Sequence, residues 1–248
     1  MKFLTKNLAN IFTLTNLFLG FTGIINALYG DPVMGAWLLL CATLFDFLDG
    51  MTARLLKTQS KIGKELDSFA DLVSFGVLPA VILHVLLVKT HYSWVYAIDF
   101  TGIPLVSLLP FVFTAAVAIR LARFNLDKKQ SKVFSGLPSP AAALFVASIP
   151  LIMQYDLYMI NYQSIYLDNV LLNPWLLLGT TFLLSWLMLA RIPLLSLKME
   201  NWGWKDNKSR YILIGLSIPL FVILLFLAIP VILLIYFLLS FISKPESL

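Results

Sequence analysis

Residues Tyr211 to Ile242 read YILIGLSIPLFVILLFLAIPVILLIYFLLSFI, without one charged side chain. As a single α-helix this run would measure about 48 Å at 1.5 Å per residue. The hydrocarbon core of a bilayer is about 30 Å thick. One tilted helix fits that slab poorly. A hairpin of two helices, split near Pro230, fits it better, and Pro219 is a candidate kink in the first arm. Such a run belongs in lipid, and it sets the class of the whole chain.

The rest of the 248 residues agree. Hydrophobic residues make up 60% of the chain and charged residues 12%. A soluble globule carries about 25% charged residues, so there are too few charges here to cover a water-facing surface. Apolar runs near 11–29, 33–54, 66–88, 103–124, 139–155 and 171–190 precede the arms near 211–227 and 229–243. The expected fold is all-α: a polytopic membrane bundle of eight helices. A six-helix core over about 8–190 is followed by a C-terminal hairpin over about 211–243, in a single membrane domain spanning 1–248. The first run is long, and no small-residue cleavage site follows a short apolar core, so it reads as a retained helix and not a signal peptide. Neither an internal repeat nor a low-complexity segment is visible. The stretch 156–170 reads as an external connector.

Basic residues fix the orientation. Lys2 and Lys6, Arg54 to Lys64, Arg120 to Lys132, Arg191 to Arg210, and Lys244 all fall on one side of that span count. Of the 18 Lys and Arg, only Lys89 falls on the other. Positively charged loops stay in the cytoplasm. Both termini are therefore expected there, as an even number of spans requires. The clusters are short and lie between apolar runs, unlike a stripe that tracks nucleic acid. A lone Cys41 excludes an intramolecular disulfide, and two histidines, His84 and His91, argue against a His-based zinc site.

Four acidic residues break the apolar pattern. Asp46 and Asp49 lie inside the second run, and Asp67 and Asp71 open the third. Ionisable side chains within spans are rare and usually functional. Spacings of i,i+3 and i,i+4 put each pair on one helix face, and the short connection lets antiparallel neighbours bring the pairs together. Four adjacent carboxylates must share protons or bind cations. An all-oxygen set suits Mg²⁺ or Mn²⁺, and two such ions suit displacement at phosphorus. Gly50 and Ala53 leave room beside the cluster. Arg54 and Ser60 are placed to donate to phosphate. Taken singly, any of the carboxylates has a plainer reading, as a solvated group or a partner of Lys57, Lys61 or Lys64. Arg120 and Arg123, i,i+3 at the same membrane side, either snorkel or bind an acceptor carboxylate or phosphate. Ser135–Ala141 either shapes the way into the site or simply starts a helix.

The stretch from Asp46 to Asp71 follows the pattern D-x2-D-G-x2-A-R-x8-G-x3-D-x3-D, with Gly63 at its later glycine. It resembles the signature of the CDP-alcohol phosphotransferase family at all eight fixed positions. Asp67–Val77, Arg120–Asn125 and Ser135–Ala141 further resemble the membrane-embedded phosphatidylserine synthases of that family. Asn10, Thr13 and Asn16 resemble the group's N-terminal substrate segment, with Ala9 standing where proline is common. The likeness runs to about residue 190; the final hairpin occurs in some members only.

The resemblance implies that Asp46, Asp49, Asp67 and Asp71 hold two divalent metals and that Asp71 doubles as the base. It implies a CDP site drawn from Asn10, Thr13, Asp49, Gly50, Ala53, Arg54, Ser60 and Gly63. Acceptor contacts would come from Arg120, Arg123 and Ser68. The implied reaction passes the phosphatidyl group of CDP-diacylglycerol to L-serine by direct displacement, in a homodimer at the cytoplasmic face of the cell membrane. A sibling enzyme using glycerol phosphate or inositol phosphate is the first rival. A cation-coupled transporter is the second, although repeated halves and midplane sites, common in transporters, are absent.

Overall fold

The computed structural model describes residues 2–56, 60–90, 92–126, 134–156, 169–195 and 203–242. Nine α-helices carry the chain among these residues: α1 (Lys2–Leu28), α2 (Pro32–Leu55), α3 (Lys61–Asp71), α4 (Leu78–Val88), α5 (Phe111–Leu126), α6 (Ser139–Leu151), α7 (Pro174–Leu189), α8 (Trp204–Leu224) and α9 (Ala228–Ile242). The strands are two-residue ladders: β1 (Asp99–Phe100) with β2 (Ile103–Pro104), and β3 (Phe134–Ser135) with β4 (Pro193–Leu194). The architecture is a polytopic helical membrane protein. Lys57, His91, Lys128, Lys129, Lys132, Lys198, Lys244 and most of the 156–170 connector lie outside the described residues.

Five segments are long and apolar enough to cross a membrane: Leu8–Leu28, Pro32–Leu55, Ile62–Val88, Leu105–Leu126 and Asn207–Phe241. Ser139–Tyr155 and Pro174–Leu189 are shorter apolar helices. The last long segment is divided as expected, but not at Pro230. The break is at Leu225, whose φ of 46° no helix accommodates, followed by a 3₁₀ turn through Leu227. Pro230 instead sits in the first turn of α9, where its missing N–H has no helical partner to lose. Helix α8 runs on through Pro219. The expected span 103–124 also differs. Its first residues form β2 and a 3₁₀ turn, and α5 begins only at Phe111.

Local chemistry sets the helix ends near the carboxylates. Asp31 caps α2 by accepting from the Met34 N–H at 2.8 Å, with Pro32 at the first helical position. Ser60 caps α3, its Oγ accepting from the Gly63 N–H at 2.9 Å. Helix α3 does not stop at Asp71. It widens into a π-helical segment, Leu72–Val77, and resumes as α4. Pro79, at the start of α4, cannot donate backward and its ring crowds the turn before it, and the wider π turn relieves both. Thr114 on α5 donates to the Gly76 carbonyl at 2.9 Å.

The core gathers around this third span. Two-thirds of its apolar window (67%) is buried, against 28% for the other long spans except the final one, at 6%. Phe75, Leu78, Ile82, Leu83, Leu86 and Leu87 are fully enclosed, packed with Phe113 of α5, Val146 of α6 and Leu177 of α7. The outer faces carry Leu14, Phe18, Phe21 and Ile25 along α1, and Val222 and Ile223 on α8. In water those faces would forfeit about 25 cal/mol per Å² of apolar surface; in lipid they do not. Lys89 donates to the Gly30 carbonyl at 2.7 Å just beyond α1. Trp37, Tyr155 and Phe226 cluster at that same end, joining α2, the end of the α6 segment and the hairpin turn.

Candidate active site

Helices α1, α2 and α3 meet at one end of the bundle, and the acidic residues converge there. Asp46, Asp49 and Asp67 each offer an oxygen, and these oxygens lie within 4.8 Å of one another. Asp71 lies beside Asp46 at the edge of this group. Carboxylates this close must share a proton or a cation. Asp49 is 5% exposed, yet its Oδ2 has no hydrogen-bond partner among the described residues, and neither has Oδ1 of Asp71. Buried carboxylate oxygens without donors need a positive charge. The all-oxygen set, its size and these two orphan atoms fit a divalent metal.

Helix α1 closes one side. Thr13 is buried beside Asp49, and its hydroxyl donates to the Ala9 carbonyl at 3.0 Å. Asn10 lies a turn earlier. A Cβ on Gly63 would come within 3.0 Å of both Asn10 Oδ1 and Ser60 Oγ, so the glycine lets α3 approach α1 closely. Around Gly50 the situation is different. The nearest atom to a Cβ there is Arg54 Nη2, at 3.7 Å. No packing demands that glycine, and its missing side chain leaves space facing outward. Ala53 is half-buried one turn on, and Arg54 is exposed at the rim. Ser60 spends its oxygen lone pair on the α3 cap but keeps its hydroxyl proton to donate.

Arg120 and Arg123 are held by protein. Arg120 Nη1 donates to the Met188 carbonyl at 2.9 Å, and Arg123 Nη1 to the Leu189 carbonyl at 3.4 Å. Both thus satisfy carbonyls at the C-terminal end of α7, where the helix dipole also favours cations. The Ser135–Ala141 stretch docks on the same end. The Leu137 N–H donates to Leu187 and the Gly136 N–H to Ile192, and Phe134 and Ser135 pair with β4. These bonds tie both arginines to the end of α7.

Two further polar residues belong here. Asn16 is fully buried with both Oδ1 and Nδ2 unpartnered among the described residues, while its backbone carbonyl accepts from Ser74 of the π segment at 3.1 Å. It lies three residues beyond Thr13, on the same helix face. Asn125 on α5 donates from Nδ2 to Ser68 Oγ at 2.8 Å, and its Oδ1 is buried and unpartnered. The neighbours of both come from another helix, which spacing alone does not reveal.

Comparison with known proteins is consistent with this geometry. The family model described as CDP-alcohol phosphatidyltransferase matches residues 6–243. A Helicobacter pylori protein named CDP-diacylglycerol--serine O-phosphatidyltransferase is 35% identical over 199 residues, covering 79% of this chain and 75% of that one. Proteins with the same name from Bacillus subtilis and Saccharomyces cerevisiae are 33% and 38% identical, over 53% and 56% of this chain and 68% and 52% of theirs. The chain belongs to the CDP-alcohol phosphatidyltransferase family.

Proposed function

We propose that this chain transfers the phosphatidyl group of CDP-diacylglycerol to the hydroxyl of L-serine, giving phosphatidylserine and CMP. The observation that carries the reading is the convergence of Asp46, Asp49 and Asp67, with Asp71 beside Asp46, where α1, α2 and α3 meet. The names of the relatives supply the acceptor.

In this reading the four carboxylates hold two divalent ions, Mg²⁺ or Mn²⁺, whose charge would offset that of the pyrophosphate and make the phosphorus more electrophilic. The chain's own groups do the rest. Arg54 and the Ser60 hydroxyl donate to the phosphates, and Arg54 can do so as a fork. Gly50 and Ala53 leave room for the nucleotide headgroup, with Asn10, Thr13 and Gly63 on its α1 side. Asp71 takes the proton of the serine hydroxyl. The serine oxygen bonds to the phosphorus bearing diacylglycerol, the bond to the CMP oxygen breaks, and CMP leaves with those electrons. Direct displacement is favoured over a covalent intermediate. Cys41 faces outward, and His84 Nδ1 is engaged with the Ser107 carbonyl at 2.8 Å.

The site faces the cytoplasm in the same reading. The bias of the basic residues supports this, and it sets both termini on that side of the cell membrane. The resemblance also carries a homodimer, which mass measurement in nanodiscs tests.

The deciding assay uses purified protein in nanodiscs with CDP-diacylglycerol, divalent metal and one labelled acceptor at a time. CMP and labelled lipid are expected with L-serine. Turnover with glycerol phosphate or inositol phosphate but not serine would overturn the choice of acceptor, and ion flux without CMP would overturn the enzyme reading altogether.

A further inference from the structure

We infer that Asn125 is a specificity-determining residue for the acceptor, its amide oxygen receiving the ammonium group of L-serine. The inference rests on the serine reading above and adds a contact to it. The starting point is a fixed amide orientation. Ser68 has one hydroxyl proton, and it donates that proton to the Lys64 carbonyl at 3.2 Å. Towards Asn125 it can therefore only accept, which assigns the 2.8 Å contact to Nδ2 and turns Oδ1 away from Ser68. That Oδ1 is buried and has no donor among the described residues. A buried acceptor left open is uncommon in folded proteins and points to a partner from outside the chain.

The position narrows the partner. Ser68 follows Asp67 directly and precedes Asp71 by three residues, so the bond to Ser68 sets Asn125 of α5 beside the stretch of α3 that carries both carboxylates. An amide oxygen cannot bind a phosphate or a carboxylate, since neither brings a proton at neutral pH. The diphosphate and the acyl esters of the donor are excluded on that ground. Of the groups on serine, the hydroxyl must face the base and the carboxylate is an acceptor. The ammonium is the strong donor that remains, and a charge-assisted bond to it is stronger than one to a neutral group. Acceptors that carry a phosphate and no amine would leave Oδ1 unsatisfied, which is how a polar site rejects the wrong substrate.

The test compares wild type, Asn125→Leu and Asn125→Asp in nanodiscs, with the KM for serine and the KM for CDP-diacylglycerol measured separately. Asn125→Leu is expected to raise the KM for serine roughly tenfold or more while the KM for the donor stays within about twofold. Asn125→Asp, which keeps an acceptor oxygen in the same place, is expected to recover most of the serine affinity, and it serves as the informative variant if leucine disturbs folding. A parallel rise in both KM values, an unchanged serine KM in Asn125→Leu, or no recovery in Asn125→Asp would overturn the inference. If wild type turns over another acceptor and not serine, the serine reading itself fails, and that is seen before any variant is made.

Discussion

At the residue scale four carboxylates crowd together, and two of them lack donors. Asp49 and Asp71 each bury an oxygen with no partner among the described residues, and Asp46 and Asp71 lie side by side. Those facts separate two roles that the shared motif does not. Asp46 lies among the converging oxygens with Asp49 and Asp67, so its loss should weaken the platform that receives the donor. Asp71 is read as the base, so its loss should act on the proton. Asp71→Asn is expected to lower CMP release by a hundredfold or more while keeping more CDP-diacylglycerol binding than Asp46→Asn keeps. Equilibrium binding of the donor to each variant, measured beside turnover, checks this. Equal loss of binding in both would remove the assignment of the base. The spacing of these residues was legible from sequence because a charge in an apolar run stands out and helical periodicity fixes its face. Their hydrogen bonds were not. Whether an Asp oxygen finds a donor depends on neighbours from another helix, and the open carboxamides of Asn16 and Asn125 were hidden for the same reason.

At the element scale, the end of α7 is a junction. Arg120 and Arg123 from α5, and the N–H groups of Gly136 and Leu137 before α6, all supply donors around residues 187–192. On the other side, the Leu195 N–H donates to Ser240 Oγ at 3.1 Å and the Leu195 carbonyl accepts from Tyr236 Oη at 3.0 Å. The C-terminal hairpin is thereby pinned to the turn that the arginines hold. Gly136 is the tightest point. Its φ is +74°, and a Cβ would lie 2.7 Å from the Ala190 carbonyl oxygen, which is rigid backbone. Gly136→Ala is expected to destabilise the protein by about 2 kcal/mol or more, from left-handed strain and the clash together, read as a lowered melting temperature in detergent. An unchanged melting temperature would mean that this junction does not hold α7. Here the sequence was only half legible. Arginines at a helix end signalled an interaction, but the partner, a carbonyl on a helix more than sixty residues away, leaves no local trace. The hairpin break is similar. Pro230 is the obvious punctuation, yet proline is tolerated in a first turn, and the reversal falls at Leu225, where the backbone alone takes the strain.

At the scale of the whole molecule, the bundle holds a polar site at one end of a lipid-facing frame. The third span is the hub: it is the most buried, it carries Asp67 and Asp71, and its π segment begins directly after Asp71. Such widened turns are frequent at functional sites. The membrane class and the eight apolar segments were readable because each is a long compositional signal. The π segment was not, since it follows from Pro79 and from a Thr114 hydroxyl supplied by another helix. The central claim is that α2 and α3 gather their carboxylates around divalent cations, and Mn²⁺ binding tests it without relying on turnover. Electron paramagnetic resonance on the protein in nanodiscs with CDP-diacylglycerol should show two Mn²⁺ ions taken up per chain, with binding weakened in Asp46→Asn and in Asp67→Asn. Wild-type Mn²⁺ affinity in a variant with all four aspartates changed to asparagine would contradict the account.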